Sequence, residues 1–214
     1  MQLVAPVTGL DDLEVVVAAQ PDLVELRLDL VDRSDHPELA ARCASLPVPL
    51  IATVRSTGEG GGFAGGAGDC TRLLAPFLPH SRYVDLERGF RSLAPACRAV
   101  GCRVIASVHL ATMLPLSELF GLERDLRSYG DLPKLVLAPS SDDDLLDLIS
   151  FTRAATRPIC TSIAGTGYRH GRALLPLFGS ALAYCAVGRP SSPGQYTLAE
   201  MRELMRLLCP ERSD

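Results

Sequence analysis

Two kinds of apolar pattern alternate along this 214-residue chain from end to end, and that alternation restricts its fold more than any other feature. Short β-rich runs lie at about 2–8, 23–30, 49–55, 83–87, 103–110, 132–138, 158–164 and 181–187. Stretches with helical spacing of apolar residues follow them, at 12–20, 37–46, 71–78, 91–100, 116–129, 142–155, 172–179 and 197–208. Strict alternation means parallel strands joined by helical crossovers, because a parallel neighbour is reached only by carrying the chain back along the sheet. Eight such units suit an α/β fold of the closed (β/α)8 TIM-barrel type, as a single domain spanning 1–214. A doubly wound open sheet usually has fewer strands and a glycine-rich first turn. Here that turn is Thr8-Gly9-Leu10-Asp11, with no dinucleotide fingerprint. The segment from Gly58 to Gly68 fits neither pattern and reads as a flexible surface loop after the third strand.

Composition narrows the class. Apolar residues make up 47% and charged residues 21%, enough to build a core, so disorder is excluded. The net charge of −4 is modest and the arginines are scattered, which speaks against a nucleic-acid partner. No apolar run reaches the ~18 residues of a membrane span. The start, Met1-Gln2-Leu3-Val4-Ala5-Pro6, has no basic leader of the signal-peptide kind. The seven cysteines form no Cys-x-x-Cys pair and read as buried free thiols in a reducing compartment. A cytoplasmic enzyme is expected.

Of the 21 basic residues, only Lys134 is lysine, and it sits in the apolar run Leu132-Pro133-Lys134-Leu135-Val136-Leu137. Arginine stays charged at any workable pH, whereas a buried lysine can lose its proton and attack a carbonyl. A Schiff-base enzyme is one reading; an arginine-rich composition with an accidental surviving lysine is the other. In a barrel the chemistry sits at the C-terminal ends of the strands. Strand two ends in Glu25-Leu26-Arg27-Leu28-Asp29, where alternation turns the three charges inward and Leu26, Leu28 and Leu30 toward the helices. Inward charges need partners, either in a structural ion-pair network or around a ligand. Strand three ends in Arg55-Ser56 before Thr57-Gly58-Glu59, and strand four in Asp85-Leu86-Glu87. Strand five ends in Ser107-Val108-His109, next to the lysine strand, so His109 is placed to move a proton beside an imine formed on Lys134. Burial and neighbouring arginines would both favour the free amine. Asp142-Asp143-Asp144 reads as a helix-capping run. No metal-ligand spacing appears. The loop Gly188 to Gln195 after strand eight reads as a lid.

With these residues assembled, the chain resembles type I 3-dehydroquinate dehydratase over nearly its whole length. The resemblance rests on Glu25-Leu26-Arg27-Leu28-Asp29, Arg55-Ser56-Thr57-Gly58-Glu59-Gly60-Gly61, Asp85-Leu86-Glu87, Ser107-Val108-His109, Leu132-Pro133-Lys134, Phe178-Gly179-Ser180 and Ser192-Pro193-Gly194-Gln195, in that order. It implies that Lys134 is the Schiff-base lysine, His109 the general base and acid, and Glu59 the carboxylate that orients His109. It implies further that Glu25, Arg27 and Arg55 bind the ring hydroxyls and carboxylate, and that Ser192 and Gln195 belong to a closing loop. Arg172 matches the arginine that holds the substrate carboxylate, with Arg169 the alternative, since the segment from Gly165 to Arg172 aligns only across a gap. The implied substrate is 3-dehydroquinate, in aromatic amino-acid biosynthesis by the shikimate pathway, with no cofactor or metal, no nucleic-acid or membrane partner, and a homodimer. One departure is Leu110, where many members carry Asp or Asn after the histidine. Two other readings are a different class I Schiff-base lyase or aldolase, and a non-catalytic ligand-sensing module; the intact Lys134, His109 and Glu59 set argues against the second.

Overall fold

The computed structural model describes residues 1–209, so the last five residues of the domain expected over 1–214 lie outside the described residues. The strands are β1 (Gln2–Val7), β2 (Leu23–Arg27), β3 (Leu50–Thr53), β4 (Ser81–Glu87), β5 (Arg103–His109), β6 (Leu132–Leu137), β7 (Cys160–Ile163) and β8 (Leu182–Tyr184). The helices alternate with them: α1 (Asp12–Ala18), α2 (His36–Cys43), α3 (Ala67–Leu74), α4 (Ala94–Ala99), α5 (Leu116–Arg127), α6 (Asp142–Ala154), α7 (Gly171–Leu177) and α8 (Leu198–Leu208). All pairings are parallel, in the order β7-β6-β5-β4-β3-β2-β1-β8. This is the expected (β/α)8 barrel. Among the described residues no helix is long and apolar enough to cross a membrane.

Period-two alternation sorts each strand between two environments. Outward residues such as Val24, Leu26, Ala52, Val84, Leu86, Val104, Ala106 and Leu135 join the helices in one large buried cluster. Inward residues begin with an apolar floor of Val4, Leu23, Ile51, Tyr83, Ile105, Leu132, Cys160 and Leu182. Two positions further along β2 to β7 the inward residues turn polar: Glu25, Thr53, Asp85, Ser107, Lys134 and Ser162. Thus the floor supports a polar layer at the C-terminal end, where the strands deliver their functional groups.

Several boundaries differ from the sequence pattern for local reasons. Leu30 is 42% exposed rather than packed under helices, because β2 ends at Arg27 and the chain turns there, with Leu30 and Val31 N–H both donating to the Arg27 carbonyl. Helix α3 starts at Ala67, inside the glycine-rich segment, with the Asp69 carboxylate accepting from Gly66 N–H. It ends before Pro76, whose missing N–H cannot continue the helical bonding. The helix expected over 91–100 is split into a 3-10 stretch, Arg88–Leu93, and α4, which carries Pro95 in its first turn, where a missing donor costs nothing. Of the seven cysteines expected to be buried, Cys209 is exposed; the other six are buried, and all are free thiols.

The barrel closes differently at one seam. β7 and β8 share no ladder; the backbones touch through an isolated bridge, Ile159 to Ser180. The Ser180 side chain does the joining there. Its Oγ accepts from Thr161 N–H at 3.0 Å and donates toward the carbonyls of Thr161 at 3.0 Å and Leu182 at 3.1 Å. Because Ser180 is buried, Ser180→Ala leaves the Thr161 amide unpaired. A loss of ~1–3 kcal/mol is expected, readable as a drop in melting temperature of roughly 2–4 °C per kcal/mol. An unshifted melting curve would show that the seam does not depend on this hydroxyl.

Candidate active site

A cavity of about 340 Å³ opens at the C-terminal end of the strands. Glu25 and Arg27 of β2, Arg55 just after β3, Glu59, His109 of β5, Lys134 of β6, Arg172 of α7, and Ser192 and Gln195 of the last loop all line it. All nine of these residues, each named from sequence, therefore reach one cavity. Lys134 and His109 arrive on adjacent strands in the register Ser107 to Lys134 and His109 to Val136.

At the centre is Asp85, the inward residue of β4. Its carboxylate accepts from Arg55 Nη2 at 2.9 Å, from Lys134 Nζ at 2.9 Å and from the Ser107 hydroxyl. Burial works against this anion, but the Arg55 charge, followed by that of Lys134, holds it well below the usual carboxylate range. Arg55 also bonds Glu87 at 3.0 Å and Glu59 at 3.3 Å, and these surrounding acids keep it cationic against full burial. Of the neighbouring arginine charges expected near Lys134, Arg55 shares the Asp85 carboxylate with it. The acids within 4 Å of Nζ are Asp85 and, at 3.9 Å, Glu25, whose other contact is the Thr53 hydroxyl at 2.9 Å.

Beside this network lies a His–carboxylate pair. Glu59 Oε2 is 3.0 Å from both His109 Nδ1 and the His109 backbone N–H. Burial, then the positive charges of Arg55 and Lys134, lower the His109 pKa well below 6.5, so the ring is neutral near pH 7. With Nδ1–H donating to Glu59, Nε2 keeps a free lone pair. Burial, then the neighbouring Glu87, push the Glu59 carboxyl up to about 7.

The glycine-rich segment is ordered, unlike the flexible loop expected. Thr57–Glu59 forms a 3-10 turn, and Gly61 packs so closely on the Arg55 carbonyl that a Cβ there would come within 2.2 Å of the oxygen. Gly62 N–H donates to Asp29 at 3.0 Å, and Phe63 is buried. Asp29 does not line the cavity; it grips Arg27 through two bonds of 2.9 and 2.7 Å and so braces both that arginine and this loop.

Arg172 and Arg169 part company. Arg169 pairs with Glu200 at 3.2 Å and stacks on Tyr196 at 3.9 Å, away from the cavity. Arg172 is buried at the cavity, bonds the Pro193 carbonyl at 3.1 Å and leaves its Nε without a partner. Burial lowers its pKa to about 10. Of the four Lys and Arg side chains lining the cavity, Arg172 alone makes no salt bridge among the described residues. In the last loop, Gln195 accepts from Ser191 N–H at 2.9 Å and Ser192 N–H at 3.3 Å, which folds Arg189 to Gln195 into a compact rim. The acidic run opens α6 as a cap: Asp144 and Ser141 satisfy each other's backbone N–H. Among the described residues no group of three His, Cys, Asp or Glu could hold a metal ion.

Four further residues complete the site: Asp85, Glu87, Ser107 and Tyr184. The first three stand in motifs visible in the sequence and share the inward phase of His109 and Lys134, so strict alternation from those two would have found them. Tyr184 looks like core in sequence, and nothing marks it.

The family model for Type I 3-dehydroquinase matches residues 7–210. The chain is 46% identical over 209 residues to the 3-dehydroquinate dehydratase of Methanoregula boonei, covering 97% of this chain and 100% of that one. It is 31% identical to that of Klebsiella pneumoniae, over 90% of this chain and 85% of the other. Its fold matches the crystal structure of the Geobacillus kaustophilus 3-dehydroquinate dehydratase with a TM-score of 0.88, at 24% identity, over 97% of this chain and 90% of that one.

The charge network carries its own test. Removing one partner of a buried ion group costs ~3–5 kcal/mol, because the others remain buried and uncompensated. Asp85→Asn is expected to lower unfolding stability by that order at pH 7. A carboxylate depressed in the fold contributes stability above its unfolded value of ~4 and loses it as pH falls further. The gap between variant and wild type should therefore narrow below pH ~4 in urea titrations; a gap of constant size from pH 7 to pH 3 would show that the Asp85 charge is not what matters.

Proposed function

Because this chain belongs to the type I 3-dehydroquinase family and is a hydro-lyase, we propose that it removes water from 3-dehydroquinate to give 3-dehydroshikimate through a Schiff base on Lys134. The observation that carries this reading is a buried lysine and a neutral, carboxylate-oriented histidine opening on one cavity.

The chemistry follows from the positions. The Lys134 amine adds to the substrate ketone, and loss of water gives an iminium. The iminium draws electrons from the adjacent carbon, and His109 Nε2 takes its proton while Glu59 supports the imidazolium at Nδ1. The enamine then expels the β-hydroxyl, with His109 returning the proton so that water departs. Hydrolysis of the new iminium releases product and restores the amine, for a net loss of one water. Asp85, 2.9 Å from Nζ, accompanies the nitrogen through its cationic stages. Glu25, Arg27 and Arg55 bind the ring hydroxyls and carboxylate, and Ser192 and Gln195 close over the ligand. The enzyme works as a cytoplasmic homodimer in the shikimate pathway of aromatic amino-acid biosynthesis, and the reaction uses no cofactor.

Two experiments test the assignment. Borohydride added with 3-dehydroquinate should leave one adduct, on the Lys134 peptide, by mass spectrometry. Lys134→Arg keeps the charge and should lose both adduct and turnover; full activity in that variant would end the Schiff-base reading.

The buried, uncompensated Arg172 is the counter-ion for the substrate carboxylate. A charge-assisted bond is worth about 1.5–3 kcal/mol, and lysine lacks the planar fork. Arg172→Lys is expected to raise KM at least about tenfold, while Arg169→Lys changes it little. Steady-state kinetics with the opposite ranking would move the carboxylate to Arg169.

A further inference from the structure

Lys134 rests on an aromatic face. Its Nζ lies 4.1 Å from the centroid of the Tyr184 ring, at the end of β8. Tyr184 is 9% exposed and lines the cavity, and its hydroxyl is buried with no hydrogen-bond partner among the described residues. Buried tyrosine hydroxyls normally find a partner, so hydroxyl bonding is not what fixes this ring. The ring's polar contact is between its π face and the lysine nitrogen. An ammonium over a ring is attracted to the negative face, and so is an iminium.

The carboxylates and the ring differ in what they ask of Nζ. Asp85 and Glu25 also neutralise Arg55 and bond Thr53, so their charge is shared across the network. Among the described residues the ring has no other cation at its face. Resting on the Schiff-base reading above, we propose that Tyr184 is a further positioning residue for the reaction: its ring face stabilises the positive charge on the Lys134 nitrogen once that nitrogen is part of an iminium. Amine, ketone and one proton go in; the iminium and water come out. Relative to the free amine and the uncharged carbinolamine, an attraction that grows with charge on nitrogen favours the iminium, which is the electron sink for proton removal.

The test varies the ring's electrostatics at constant shape. Phenylalanine and its 4-fluoro, 3,5-difluoro and 3,4,5-trifluoro forms are placed at position 184, and the rate of borohydride trapping with 3-dehydroquinate is followed by mass spectrometry. Fluorines drain the π face, so trapping should fall stepwise along the series, by ~2–30-fold overall for a cation–π contact of ordinary strength. Tyr184→Leu should fall at least as far, with its fold checked by circular dichroism; the fluorinated series decides the matter if the leucine variant does not fold. A purely structural ring gives a flat series, and that result overturns the inference while leaving the Schiff base standing. If wild type forms no adduct, the Schiff-base reading fails first and takes this inference with it.

Discussion

One buried carboxylate holds the upper barrel together. Asp85 lies between the guanidinium of Arg55 and the ammonium of Lys134, with the Ser107 hydroxyl on the same oxygen as Arg55. Each of these ions loses several kcal/mol of hydration on burial, so none could occupy the barrel alone. Together they bridge β4, β5, β6 and the end of β3. Arg55 extends the network to Glu87 and Glu59, and Glu59 reaches His109. The position of the histidine therefore depends, through three contacts, on the same aspartate that holds the lysine.

This network also explains the loop that the chain wraps over it. Arg55 sits where β3 has just ended, and Gly61 lies against its carbonyl, with Phe63 anchoring the segment in the core. A side chain at Gly61 would collide with backbone, so the glycine-rich stretch is there for close approach rather than for freedom. Asp29 extends the same bracing to Arg27. Three of the four lining cations are thus neutralised by the protein. The fourth, Arg172, is held by a carbonyl from the last loop and no acid, which leaves its positive charge without a counter-ion in the protein.

Much of this was legible from residue order. The alternation of periods predicted eight strands and eight helices, and all sixteen appear in sequence order. Lys134, His109 and Glu59 were named from composition, strand phase and family resemblance, and each lines the cavity. What was misjudged follows one pattern. Leu30 and the starts of α3 and α4 moved because a turn, a cap or a proline acted over two or three residues, below the scale at which apolar periodicity speaks. Around Lys134 the alternation put Glu25 and Asp85 in the same inward layer, so the neighbouring Arg55 charge meets the lysine only across the Asp85 carboxylate that both bind.

Covalent order and side-chain phase determined which residues face inward and at what height along each strand, because a strand alternates sides whatever it packs against. Partner choice lay beyond that. Whether Arg55 bonds Asp85 or Glu25, whether Arg169 or Arg172 reaches the cavity, and whether Tyr184 is core or a platform for the lysine depend on distances of 3 to 4 Å between elements far apart in sequence. Closure of the barrel sets those distances, and Coulomb energy and hydration, which change steeply over that range, then decide the pairs.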